Sequence, residues 1–318
     1  MTSQSHLRRS IISLARRPLL PLATALLLPL ALCACGGDGN GGGEDRLRVV
    51  ATTTQIGDFA RRVGGDRIRL TVLLHASQDA HDFEPQASQI RALAEADAVL
   101  VNGLGLDAFV DAAVRQSDAK VVTVTQGART RASSAAADKI DPHVWFDVAN
   151  AKRMVENIRD ALSAADPANA SSYEQNAAAY LAELDALDQS VRDAIAAIPQ
   201  ACRKLVTDHE VLGYYAQAYG LEFVGSVVPS TSSEASASAA DVAGIVRRIR
   251  ELGVPAVFAE ASGNPDLVRQ VGREAGVKVV DGLYGDSLGP PGSDGATYVD
   301  MMRSNTAKIV AALRPCGA

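Results

Sequence analysis

A chain of 318 residues, 47% hydrophobic and 21% charged, has the composition of a globular protein with a substantial core and room for two domains of ordinary size. Its formal charge is −6, and because residues 1–34 hold four arginines and no acid, the remainder carries −10. That balance excludes the phosphate-neutralising surface of a nucleic-acid binder and is compatible with cations as ligands.

The chain opens on a targeting segment. Arg8, Arg9, Arg16 and Arg17 form a positive n-region, and residues 19–32 are apolar over a stretch too short for a comfortable membrane span. Leu32-Cys33-Ala34-Cys35-Gly36 then resembles a bacterial lipobox with Cys35 as the lipidated residue. An ordinary cleaved signal is the plainer alternative, and Cys33 is disfavoured as acceptor by bulky Leu32 before it. Arg8-Arg9 is only a weak match to a twin-arginine signal. Residues 1–34 are therefore read as a lipoprotein signal peptide and 35–45 as a Gly-rich tether. The protein is expected to be exported and lipid-anchored on the outer face of the cytoplasmic membrane or in the periplasm.

A first lobe is expected over 46–166, with strands at 47–52, 68–74, 98–101 and 121–124 and helices at 56–63, 87–96 and 107–116. A loop at 126–139, rich in Ala, Ser and Arg, leads to Asp141-Pro142-His143-Val144-Trp145-Phe146-Asp147, where Asp147 is placed to cap a helix over 149–164. Residues 167–198 read as one long helix. Tyr173, Ala177, Tyr180, Leu184, Leu187, Val191, Ala194 and Ile198 fall three or four apart on one face, and Asp166-Pro167 marks the start. Such a helix is about 45 Å long, more than one lobe needs. On its own pattern it would also serve as a core helix of a single domain, but its two flanks look alike. The second lobe, 199–318, offers strands at 204–207, 222–227, 256–260 and 277–280, with helices at 211–219, 238–252, 266–275 and 297–313. The fold class expected is α/β: two lobes, each a roughly four-stranded parallel sheet flanked by helices, joined by one long rigid α-helix. Cys202 and Cys316 bracket the second lobe, and in an oxidising compartment a disulfide between them is expected. Metal ligation is the lesser alternative because no C-x-x-C spacing is present.

The chain has five histidines, of which His6 lies in the signal. His81 follows the second strand, His143 the fourth, and His209 the first strand of the second lobe, while Asp286 follows that lobe's last strand. These four occupy the carboxyl edges of parallel strands, where open sheets bind ligands. Taken singly each is weak, since a lone loop histidine is more often a surface residue and Asp286 beside Gly285 reads equally as a turn. As a set of four, two from each lobe, they can converge in a cleft, and three imidazoles with one carboxylate suit zinc. His75, at the end of an apolar run, is read as structural or peripheral.

These residues carry a family resemblance. His81-Asp82-Phe83-Glu84-Pro85, Asn102-Gly103-Leu104-Gly105-Leu106, Asp141-Pro142-His143-Val144-Trp145, Thr207-Asp208-His209 and Leu283-Tyr284-Gly285-Asp286-Ser287-Leu288 together resemble the zinc- and manganese-type solute-binding lipoproteins of bacterial ABC importers, the cluster A-I binding proteins. The resemblance runs over residues 47–313. It implies two α/β lobes joined by a rigid helix, a metal between them, and His81, His143, His209 and Asp286 as ligands. Manganese-type members tend to carry Glu at the third position and zinc-type members His. With His209 there, and imidazole the softer donor, zinc (Zn2+) is the expected solute and manganese the alternative. The loop at 126–139 departs from many zinc-type members: it carries Arg129, Arg131 and Lys139 and no His, so a metal-collecting role for it is not expected.

The function expected is extracytoplasmic capture of Zn2+ by a monomer that hands it to an ABC importer permease. A zinc hydrolase is the competing class, with Glu84 or Glu210 as nominal base. It lacks an H-E-x-x-H or a nucleophile motif, and Gly103-x-Gly105 lacks the third glycine of a dinucleotide loop. Surface adhesion has no sequence support apart from the anchor.

Overall fold

The computed structural model describes residues 46–134, 136–233, 235–262 and 265–316; the expected signal segment, the Gly-rich tether and the anchor at Cys35 lie outside them. The first sheet is built from β1 (Leu47–Ala51), β2 (Ile68–Val72), β3 (Ala98–Val101) and β4 (Lys120–Thr123), with α1 (Thr54–Gly64), α2 (Ala87–Glu95) and α3 (Asp111–Val114) between them. α4 (Val148–Ala165) and α5 (Ala170–Ala196) follow, and then a second run of β5 (Lys204–Thr207), α6 (Gly213–Tyr219), β6 (Glu222–Ser226), α7 (Ala239–Leu252), β7 (Ala256–Glu260), α8 (Asp266–Ala275), β8 (Lys278–Leu283) and α9 (Tyr298–Leu313). The strand orders are β2-β1-β3-β4 and β6-β5-β7-β8, the same plan twice, and every pairing is parallel.

The period of two along each strand divides the core. In β1, Val49 and Ala51 face a central cluster shared by both lobes, whereas Val50 turns to an outer cluster with Leu73, Leu93 and Val99. In β7, Ala256 and Phe258 face the central cluster, and Val257 and Ala259 pack outward against Ile249, Val268 and Val271 of α7 and α8. Both faces are thus covered, as all-parallel sheets require. The central cluster runs without a break from the first sheet through α1, α4 and α5 to α9 and the second sheet.

α5 is the beam of this arrangement. Tyr173, Ala177, Tyr180, Leu184, Leu187 and Val191 are buried as the spacing predicts, but near the end Ile195 takes the place expected for Ala194, with Ile198 beyond it. The larger side chain wins because it buries more apolar area for the same backbone position. The start differs too. Pro167–Asn169 form a 3-10 turn, and the Asp166 carboxylate accepts from Asn169 Nδ2 and Tyr173 Oη, both at 2.7 Å, instead of capping backbone N–H groups. Asp147 does cap α4, accepting from Ala149 N at 2.9 Å.

The helix expected over 107–116 is a 3-10 turn (Ala108–Val110) followed by the single turn of α3. Asp107 faces backward: its carboxylate accepts from Thr52 Oγ1 and Gly103 N, both at 2.9 Å, and gives no side-chain cap to the turn that follows. It holds a loop in which Gly103, Leu104 and Gly105 all have positive φ (75°, 57° and 85°). Cys202 and Cys316 form a disulfide that ties the end of α9 to the start of β5. Among the described residues, no helix is long and apolar enough to cross a membrane.

Candidate metal centre

His81, His143, His209 and Asp286 meet between the two sheets, with one donor atom from each lying within 4.8 Å of all the others. His81 Nε2 is 3.2 Å from His143 Nε2 and 3.6 Å from Asp286 Oδ2. Asp286 Oδ1 is 3.2 Å from His143 Nε2, and its Oδ2 is 3.6 Å from His209 Nε2. His143, His209 and Asp286 are buried, and the His81 side chain keeps 11% of its surface in contact with solvent. His81 is the edge facing outward. His75 is exposed and joins no cluster, its backbone N–H bonded to Gln78 Oε1 at 2.8 Å.

Each member is placed by its neighbours. The loop after β2 turns on Asp79, whose Oδ1 accepts the His81 backbone N–H at 2.8 Å. His143 opens the 3-10 turn Val144–Phe146, and Asp141 Oδ1 lies 3.0 Å from its backbone N and 2.8 Å from its Nδ1. Asn102 Nδ2 steadies the same segment by donating to Pro142 O at 3.1 Å, which gives the Asn-Gly-Leu-Gly-Leu loop its place in the site. His209 follows β5 directly, its Nδ1 2.8 Å from Glu260 Oε1 at the end of β7. Asp286 follows β8, and its loop is held from the other lobe. Gln55 Nε2 donates to Gly285 O at 3.2 Å, and Leu288 N donates to Thr54 Oγ1 at 2.8 Å.

His143 Nδ1 is hydrogen-bonded to Asp141 and His209 Nδ1 is in ion-pair contact with Glu260, and both rings turn Nε2 toward the cluster; a carboxylate at Nδ1 fixes an imidazole's tautomer and raises its basicity as a ligand. The electrostatics follow from this packing. Burial lowers the proton affinity of His143, but its hydrogen bond to Asp141 and the Asp286 carboxylate beside its Nε2 outweigh burial and carry it up to about 9. Burial dominates for His81, with the other two imidazoles adding to it, and pushes it down to about 4. For His209, burial is overcome by Glu260 and Asp286, and the imidazole is raised well above its ordinary value. Asp286 is held well below the usual carboxylate range: burial opposes ionisation, and His209, His81 and His143 together prevail. Nε2 of His209 and both oxygens of Asp286 are buried with no hydrogen-bond partner of acceptable geometry among the described residues. Buried polar atoms left unpaired cost about 1–3 kcal/mol each, so this constellation calls for a cation.

The chain is similar to known metal-binding proteins. Residues 49–312 match the family model of ZnuA, zinc-uptake complex component A, periplasmic. The chain belongs to this family. The manganese-binding lipoprotein MntA of Halalkalibacterium halodurans is 33% identical over 88% of this chain and 93% of its own length. Among solved structures, the periplasmic zinc-binding protein TroA from Treponema pallidum superposes with a TM-score of 0.79 at 29% identity, covering 84% of this chain and 99% of that one. The manganese-bound periplasmic metal-binding protein from Candidatus Liberibacter asiaticus gives 0.78 at 27%, covering 84% and 100%. The two-lobe fold and the substrate-binding role in a metal ABC importer follow, and such proteins work with a permease and an ATPase. The family is one of binding proteins, not enzymes, which removes the hydrolase reading. Of its nominal bases, Glu84 is exposed, and the buried Glu210 carboxylate is 2.9 Å from Arg131 Nη1 and 2.8 Å from Ser133 Oγ.

Sequence reasoning assigned no role to Asp141, Glu260 or Arg131. Asp141 carried a signal in its i, i+2 spacing to His143. Glu260 carried one as the lone charge closing the apolar strand Ala256–Glu260 at the ligand-binding edge of the sheet. For Arg131, which acts through residues 79 positions away, there was none.

Proposed function

We propose that this protein captures Zn2+ outside the cytoplasm as the cargo of its importer, using His81, His143, His209 and Asp286 as the four ligands. The observation carrying this reading is the spacing of the donors. Zinc bonds of about 2.0–2.1 Å place tetrahedral donors roughly 3.3–3.4 Å apart. His81 Nε2 and His143 Nε2 are 3.2 Å apart, the Asp286 oxygens reach the three imidazole nitrogens at 3.2–3.6 Å, and one donor from each residue lies within 4.8 Å of all the others. Three neutral imidazoles and one carboxylate form a closed zinc set, whereas manganese favours oxygen-rich octahedra. A manganese cargo is the second reading, supported by the MntA relative and the manganese-bound structural neighbour.

On the same reading, residues 46–166 and 199–318 are the lobes and 167–198 the helix between them, and the chain is a monomer held to the membrane by lipid on Cys35 while it serves the permease. The test is elemental analysis of the purified chain, followed by Zn2+ and Mn2+ titrations against a competing chelator. One equivalent of zinc, preferred over manganese and weakened by His209→Ala, supports the proposal. A preference for manganese overturns the metal, and no tight metal overturns the site.

A further inference from the structure

The loop at 126–139, which has no histidine to collect metal, does something else. Its Arg131 side chain is four-fifths buried, with Nη1 2.6 Å from Asp141 Oδ2 and 2.9 Å from Glu210 Oε1. Both carboxylates are fully buried, and they come from different lobes. Asp141 uses its other oxygen to hold His143 at Nδ1, and Glu210 is the residue after His209. One guanidinium nitrogen thus joins the backbone segments that carry the two buried histidines.

The surroundings are built for this contact. The same loop supplies Ser133 Oγ and Ser134 N to the Glu210 carboxylate at 2.8 Å. Tyr214 Oη accepts from Arg131 N at 3.1 Å and donates to Asp141 O at 2.7 Å. Gly213 leaves the space: a Cβ there would sit 1.9 Å from Arg131 Nη1 and 3.0 Å from Asp141 Oδ2. Losing the cation they share removes the charge that bridges these two buried carboxylates, and uncompensated buried charge is costly. Separating the lobes far enough to expose the histidines breaks the Arg131 contact on one side or the other.

Resting on the metal-capture reading above, we propose that Arg131 is a positioning residue that latches the two lobes through Asp141 and Glu210 and so sets the rate at which the bound metal leaves. It touches no donor atom. It acts by keeping His143 and His209 in register.

The test compares the unsubstituted chain with Arg131→Gln, Glu210→Gln and the double variant. Zn2+ dissociation into excess chelator is followed by stopped flow, and the visible spectrum of the Co2+-loaded chain reports ligand geometry. Disturbing a group that orients a metal ligand typically costs about 10–100-fold. Each single variant is expected to release Zn2+ faster by about that factor and to shift the Co2+ bands, with the double variant within about threefold of the faster single. Rates and spectra within twofold of the unsubstituted chain, with only a lower melting temperature, overturn the latch and leave Arg131 a purely structural residue. Fully multiplicative single effects also overturn it, since they show that Arg131 and Glu210 act separately. If Arg131→Gln does not fold, Glu210→Gln alone decides between the fast and the unchanged rate. If the unsubstituted chain takes up neither Zn2+ nor Co2+, the capture reading is what fails.

Discussion

The Nδ1 atom of His209 lies 2.8 Å from Oε1 of Glu260, and both side chains are almost wholly buried. Burial and Asp208 push the Glu260 carboxyl up and His209 pulls it back; in its ionised form it holds the imidazole with Nε2 turned to the other three donors, which on the proposed reading strengthens it as a ligand. Removing the charge while keeping the shape isolates that contribution. Glu260→Gln should lower Zn2+ affinity by about 10–100-fold in chelator competition, with an unchanged far-ultraviolet circular dichroism spectrum. An affinity within twofold of the unsubstituted chain would show that His209 needs no partner at Nδ1.

Gly285 makes the Glu260 position possible. A Cβ on Gly285 would fall 1.6 Å from Glu260 Oε2 and 2.3 Å from its Cδ, and the backbone here leads straight into Asp286. Gly285→Ala must therefore displace either the carboxylate that orients His209 or the carboxylate of the cluster itself. Overpacking of this kind costs about 1–3 kcal/mol in stability, and the metal-free chain should melt a few degrees lower. Zn2+ affinity should fall as well, because neither displacement leaves the donor set intact. Calorimetry with and without the metal separates the two effects.

What sequence alone could reach reflects which signals are local. Short apolar runs between helical patterns located all eight strands, and the three- and four-residue steps from Tyr173 to Val191 located the beam, because both signals are complete within a few residues. The four clustered side chains were legible for a topological reason: each follows a parallel strand, and that edge is fixed once the strands are known. What stayed hidden depends on contacts between distant segments. The backward turn of Asp107 onto Thr52 shortens the expected third helix, and the Glu260 and Arg131 partnerships span 51 and 79 positions. At the end of α5, Ala194 and Ile195 fit the periodicity almost equally, and only tertiary packing chooses between them.

Proton competition gives the site a pH signature. In the metal-free protein His143 holds its proton up to about 9, so a metal arriving at neutral pH must displace it, and affinity should rise with pH until that value is passed. The stability of the metal-free chain runs the other way. A histidine whose folded pKa exceeds its unfolded value near 6.5 contributes stability that is complete below 6.5 and is lost as pH rises toward 9. His81 is depressed to about 4, so its contribution is complete above 6.5 and is lost as pH falls from there toward 4. Melting curves of the metal-free chain from pH 4 to 10 should show a maximum between these windows. Zn2+ affinity measured over the alkaline window should climb while that stability declines.

The Cys202–Cys316 disulfide closes a loop spanning 114 positions, from the start of β5 to just beyond α9. In the chain-entropy account a loop of that size stabilises by about 4–5 kcal/mol, mostly by restricting the unfolded chain. Reduction, or Cys202→Ser with Cys316→Ser, should lower the midpoint of urea unfolding clearly. The proposed metal site lies at the other end of the strands, past the carboxyl ends of β5 and β8, so affinity for Zn2+ should change little. A large loss of affinity on reduction would mean that the second lobe is not a rigid unit without its staple.

Metal choice should turn on the donor at His209. Its Nε2 is 3.6 Å from Asp286 Oδ2 and is one of three imidazole nitrogens in the cluster. Replacing it with glutamate trades a soft, neutral nitrogen for a hard, anionic oxygen and brings the set to two imidazoles and two carboxylates. Zinc tolerates both sets, but manganese gains from oxygen donors. His209→Glu should therefore lower the ratio of Zn2+ to Mn2+ affinity by at least about tenfold, read in parallel chelator titrations. The substitution also removes the partner of Glu260 and sets two carboxylates side by side, so absolute affinities should fall for both metals. Glu260→Gln in the same chain should restore part of that loss, since it removes one of the two facing charges. An unchanged ratio in both variants would place the origin of selectivity in the spacing of the lobes instead of in this ligand.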